Sequence, residues 1–119
     1  MGDVLLNLFV IRSRDIESLA NFYSAIGLKF VKHRHGAGEE HYACENGGMV
    51  FEIYPQSVDS DATIGVRLGF SVPSVVDALE RAVAAGGTAV SNPKRSVWGL
   101  RAVVTDPDGR RVELIEPIA

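Results

Sequence analysis

Two carboxylates in this chain stand where an acid needs a reason to be. Glu113 interrupts the apolar run Val112–Ile115, and Glu52 interrupts Met49–Tyr54. Side chains in a strand alternate between faces, so each acid must meet a partner, a metal or a water-filled cavity. There a carboxylate can act as a general base, ligate a cation or take half of an ion pair. Aromatic residues stand near both acids. Tyr54 shares the Glu52 face by alternation. If the closing hairpin pairs simply, Ala102 lies opposite Glu113 and Trp98 joins the same face. Tyr54 and Trp98 are thus expected to wall a pocket for a planar or apolar ligand.

Other reactive residues carry less. His33, His35 and His41 lie near Glu39 and Glu40, but Gly36-Ala37-Gly38 between them makes a flexible loop, and the group reads as solvated side chains. His41 alone is placed to lean over the cavity mouth as a base. Cys44 is three residues from His41, on the opposite face of a strand, so the two form no nucleophilic dyad and Cys44 reads as a small buried thiol. Lys94-Arg95 and Arg110-Arg111 read as solvated loop and turn charges.

The elements that must position these groups follow in order. Val4–Ile11 is an apolar run of strand length. Asp15 caps a helix with Ile16, Leu19, Phe22, Tyr23 and Ile26 at helical spacing, and Gly27 ends it. Leu28–His33, Tyr42–Cys44 and Met49–Tyr54 read as strands, the last two joined by Asn46-Gly47-Gly48. After a polar linker, 55–61, the order repeats: strand Val66–Val72, a helix capped at Ser74 and closed by Gly86-Gly87, strand Thr88–Val90, then two strands around Asp106-Pro107-Asp108-Gly109.

The halves also align by residue. An offset of 60 takes Leu19 to Leu79, Ala25 to Ala85 and Gly27 to Gly87, and an offset of 61 takes Gly48 to Gly109 and Glu52 to Glu113. Two copies of a unit too small to bury its own sheet are expected to join around a shared cavity. The chain of 119 residues, 46 % hydrophobic, reads as one domain over 1–119, with units at 1–55 and 63–119. A net charge of −3 gives no polyanion-binding signature, so nucleic acid is not an expected partner. No apolar run approaches the ~20 residues of a membrane span, and the first residues lack a secretory pattern. The single cysteine fits a reducing cytoplasm.

Paired βαβββ units, with Asp15-Ile16-Glu17 ahead of Phe22-Tyr23 and Asp106-Pro107-Asp108-Gly109 ahead of Val112-Glu113-Leu114, are similar to the vicinal oxygen chelate superfamily. That group includes glyoxalase I, extradiol dioxygenases, fosfomycin-modifying enzymes and bleomycin-binding resistance proteins. The resemblance covers essentially the whole chain. It implies an α+β fold whose paired units form a cavity-enclosing mixed sheet, and it implies a homodimer. In metal-dependent members, the first and last strands of each unit each supply one ligand. Here those positions hold Leu8, Glu52, Arg67 and Glu113, with no histidine in either first strand. Two carboxylates without nitrogen or sulfur make a poor transition-metal site, so no metal and no cofactor are expected.

Arg67 then stands where a cation's ligand would stand, and a guanidinium can answer both acids electrostatically. The alternative is a structural ion pair. The leading expectation is a metal-free pocket, lined by Leu8, His41, Glu52, Tyr54, Arg67, Trp98 and Glu113, that binds a small molecule. Competing with it is a glyoxalase-like lyase or isomerase, with Glu52 or Glu113 as base and Arg67 stabilising an oxyanion, acting on an α-hydroxycarbonyl or thiol adduct. A third reading is a non-catalytic oligomeric module with a vestigial pocket.

Overall fold

The first apolar run becomes a strand only where it has a neighbour. In the computed structural model, which describes residues 2–34, 36–57 and 61–118, β1 spans Leu8–Ser13 and pairs parallel with β4, Met49–Pro55. Leu8 meets Val50, just inside the start of β4, so Val4–Leu6 have no strand beside them and stay exposed. The expected start at Val4 is therefore corrected. Helix α1, Ile16–Ala25, begins as the sequence requires: Asp15 accepts from the Ser18 amide at 3.2 Å and the Ser18 hydroxyl at 2.8 Å. It ends before Gly27, whose φ of +120° is open to glycine alone at low cost. Next come β2, Val31–His33, and β3, His41–Asn46, giving a sheet in the order β1-β4-β3-β2.

The second unit repeats the plan. Strand β5, Leu68–Ser71, leads to α2, Val75–Ala84, which Ser74 caps by accepting from the Asp77 amide. Then follow β6, Thr88–Ala89, β7, Lys94–Ser96, β8, Gly99–Thr105, and β9, Arg111–Pro117. The second sheet runs β5-β9-β8-β6, with β7 also on β8. Lys94 and Arg95 are thus strand residues, correcting the loop assignment. Without apolar alternation, β7 owes its form to pairing with β8, and charged side chains suit such an edge.

Both helices cover one face of their sheets. Ile11, Phe51 and Ile53 of the first sheet and Ala102, Val104, Val112 and Leu114 of the second share one buried core with Leu19, Phe22, Tyr23, Ala78 and Ala82. Tyr23 is the aromatic centre: its ring lies edge-on to Phe22 at 4.9 Å and to Phe51 at 5.3 Å, and 5.8 Å from Phe70 of the second unit. Cys44 faces this core, away from His41.

Between the units lies a polar knot that sequence reasoning assigned to solvent. Arg110 is fully buried, as is most of Asp106. Its guanidinium meets Asp106 at 3.1 Å and Asp108 at 3.0 Å. It also donates to the Thr63 carbonyl at 3.0 Å and to the carbonyls of Arg12 and Ala62. The Tyr23 hydroxyl donates to Asp106 at 2.7 Å. The five donors of the guanidinium all find acceptors, and this is what lets a charge sit in a core. Thr63, at φ +54°, holds an unusual backbone for a β-branched residue, and that backbone aims both its oxygens at the knot.

Arg110→Met is expected to lower unfolding free energy by about 3–5 kcal/mol, because it strands the buried Asp106 carboxylate. Tyr23→Phe is expected to cost about 1–3 kcal/mol. Since both act on Asp106, a urea-denaturation double-mutant cycle should show them non-additive.

Candidate functional site

The faces turned away from the helices carry the two acids. On the first sheet Glu52 lies between Val10 of β1 and Ala43 of β3, on the face that also bears Leu8, Arg12, His41 and Tyr54. His41 is buried to 2 % exposure, with its Nε2 3.4 Å from Glu52 Oε2 and 3.4 Å from the Tyr54 hydroxyl. The Tyr54 ring stacks on the imidazole, centroids 4.2 Å apart and planes within 6°, and the Arg12 guanidinium lies 5.4 Å from the tyrosine centroid. Burial and the nearby Glu52 charge push the Tyr54 phenol up. Glu52 and His41 line a hollow of about 560 Å³ with Val31, His33 and Val50. His35, the third histidine of the expected cluster, lies outside the described residues.

On the second sheet Glu113 lies opposite Val103, not Ala102. Pairing through a two-residue Pro107-Asp108 turn would give the expected register. Instead the Asp106 amide bonds to the Arg110 carbonyl, and Gly109, at φ +95°, adds a third residue to the loop. The slip by one moves Ala102 and Leu100 to the helix side and brings Arg101 to the Glu113 face. Arg101 grips Glu113 Oε2 through Nε at 2.9 Å and Nη2 at 2.7 Å. Arg67, just before β5, approaches the same oxygen at 4.0 Å and is half exposed. Trp98 reaches this hollow of about 570 Å³ from the β7–β8 turn, beside Ile115 and Ser96.

The sequence-identified residues thus fall into two groups. Leu8, His41, Glu52 and Tyr54 share one sheet face. Arg67, Trp98 and Glu113 share the other hollow, and the two hollows have no residue in common. Arg67 answers Glu113, and Glu52 is answered by His41 instead. A third cleft, between the units on the helix side, is lined by none of the seven.

Arg101 was missed, yet the repeat contains it. His41 and Arg101 are related by the offset of 60. Each lies opposite the residue two places beyond the acid, His41 across from Tyr54 and Arg101 across from Ile115. Each is therefore the diagonal neighbour that a carboxylate on a strand can reach.

The donor set does not suit a divalent metal. Leu8 offers no donor, and two guanidinium groups lie against Glu113, where a cation would meet like charge. Among the described residues, no three His, Cys, Asp or Glu side chains gather to hold an ion.

Residues 5–114 match the model of the Glyoxalase/Bleomycin resistance protein/Dioxygenase superfamily, and the chain belongs to that family. Solved structures agree on the fold. A hypothetical protein from S. aureus superposes with a TM-score of 0.78 at 21 % identity, over 97 % of this chain and 95 % of that one. A glyoxalase-related enzyme from Fulvimarina pelagi gives 0.74 at 26 %, over 92 % and 86 %. An antibiotic-binding protein from Streptomyces sp. CB03234 gives 0.73 at 22 %, over 99 % of each. No curated protein matches the chain by sequence. No helix among the described residues is long and apolar enough to cross a membrane.

All three tyrosines have phenols pushed up from their ordinary value: Tyr23 and Tyr54 chiefly by burial, Tyr42 chiefly by its hydrogen bond to Glu17. The folded state then keeps protons that the unfolded chain releases near pH ~10. The associated stability is complete below that pH and is lost as pH rises above it. Absorbance of tyrosinate should stay low in native protein through pH ~10 and rise together with unfolding.

Proposed function

We propose that this protein is a metal-independent small-molecule binder whose ligand occupies the open sheet faces bearing Glu52 and Glu113. The observation that carries this reading is the pairing at Glu113. An acid already held by the Arg101 fork and faced by Arg67 is neither a free base nor a cation ligand. The local charge instead favours an anionic or hydrogen-bond-accepting ligand group. Beside it, Trp98 is 67 % exposed, a flat apolar surface at the lip of the hollow and suited to stacking. The antibiotic-binding neighbour has the same fold, which is compatible with binding without turnover.

The same reading includes a homodimer. Leu8, Val10, Val31 and Trp98 leave apolar surface open on these faces, and each hollow alone is a shallow half of a site. A second copy facing the first, Glu52 side to Glu113 side, would turn two open hollows into an enclosed cavity while burying that surface. The chain is then one domain over 1–119 whose two units contribute opposite walls.

A thermal-shift series checks this. Protein in EDTA and protein with Ni²⁺, Zn²⁺, Mn²⁺ or Fe²⁺ should melt at the same temperature, because only a species that binds the native state raises it. A panel of anionic aromatic metabolites and antibiotics should contain compounds that raise it. That rise should disappear in Arg67→Ala and Trp98→Ala. A metal-dependent rise abolished by Glu52→Ala would overturn the metal-free reading. In light scattering, Trp98→Glu should convert a dimer to a monomer.

A further inference from the structure

We propose that the cleft between the two units, on the helix side of both sheets, is a second binding site, for an amphipathic carboxylate. Its apolar tail lies along Phe9, Phe51 and Phe70 and its anionic head is held by Arg81. This does not depend on the reading of the open sheet faces, with which the cleft shares no residue.

The cleft arises because the two sheets are not joined. Strands β1 and β5 each pair on one side only, with β4 and β9, so their other edges border a gap. The gap measures about 610 Å³, within the range of pockets that hold small ligands. Its floor is a row of rings, with centroids 5.8 Å apart for Phe9 and Phe51 and 6.5 Å apart for Phe51 and Phe70. Leu28, Met49 and Leu68 add apolar wall. Such a surface gains by covering apolar atoms, at about 25 cal/mol per Å² removed from water.

The head group follows from the charge. Arg81 is the one charged residue among those lining the cleft; the polar remainder, Asn46 and Ser71, is neutral. The Arg81 side chain is placed rather than loose: Nε donates to the Ala25 carbonyl at 2.9 Å, in the last turn of α1. That bond uses one of five guanidinium donors, and among the described residues no carboxylate forms an ion pair with Arg81. A fixed guanidinium with donors to spare at the lip of an apolar cleft is complementary to a carboxylate carrying an acyl or aryl tail.

Amide-resolved NMR titrations with octanoate and with octanol, which share a tail and differ in head-group charge, test this on the full chain. Octanoate should shift the amides of residues 27–28 and 68–72, leave the Trp98 indole unmoved, and bind about tenfold more tightly than octanol. In Arg81→Gln, an exposed substitution, the tenfold preference should vanish while octanol binding persists. Equal affinities in the wild-type chain, a preference that survives Arg81→Gln, shifts centred on Trp98, or no shift at millimolar octanoate would each overturn the proposal. So would protection of the 68–72 amides by a second copy of the chain.

Discussion

A single buried cation ties the two halves of this molecule together. Arg110 lies in the closing loop of the second unit, yet its acceptors include the Arg12 carbonyl near the end of β1 and the carbonyls of Ala62 and Thr63, where the second unit begins. Its acid partner Asp106 also takes the Tyr23 hydroxyl from α1. Burying one guanidinium in a core is costly by itself. Here the cost is offset because Asp106, Asp108 and three carbonyls saturate every donor, and because Arg12 and Thr63 are pre-set by their own hydrogen bond at 3.0 Å. The knot thereby pins the end of β1, residues 62–63, α1 and the β8–β9 loop to one point.

From that constraint the division of the surface follows. The helices and the knot draw the units together on one side only, where α1 and α2 meet and Arg81 bonds across to Ala25. On the opposite side each sheet keeps an open face, on which Glu52 or Glu113 meets a diagonal partner from the next strand. The two copies share this arrangement and have diverged in its chemistry. Glu52 meets a buried imidazole that stacks on Tyr54. Glu113 meets a guanidinium fork instead. The first acid thus meets one ring nitrogen at 3.4 Å, whereas the second is gripped by two guanidinium nitrogens on one oxygen.

Features that depend on one residue's local chemistry were legible in the sequence. Asp15 and Ser74 cap helices, Gly27 and Gly109 take left-handed backbone, and the offset of 60–61 relates acid to acid. What escaped depends on cooperation between distant segments. Arg110 reads as a turn charge because Arg12, Ala62 and Thr63, which accept its hydrogen bonds, are remote in sequence. Strand β7 has no periodicity of its own and exists because β8 offers an edge. The register at Glu113 turned on a single loop residue, Gly109, and one residue is enough to exchange every side chain between faces.

That exchange decides what kind of site the second unit can hold. In the simpler register Glu113 would share its face with Leu100 and Ala102, an isolated carboxylate in apolar surroundings and thus a plausible base or ligand. In the observed register it faces Arg101, with Arg67 from the neighbouring strand end on the same oxygen. Leu8 and Arg67 are related in the same way to their acids, each two residues before the residue paired with the acid, Val10 in one unit and Gly69 in the other. A leucine at one such position gives nothing to a cation, and an arginine at the other repels one. The replacement at both, together with the Arg101 fork, leaves neither position able to add a donor to a cation.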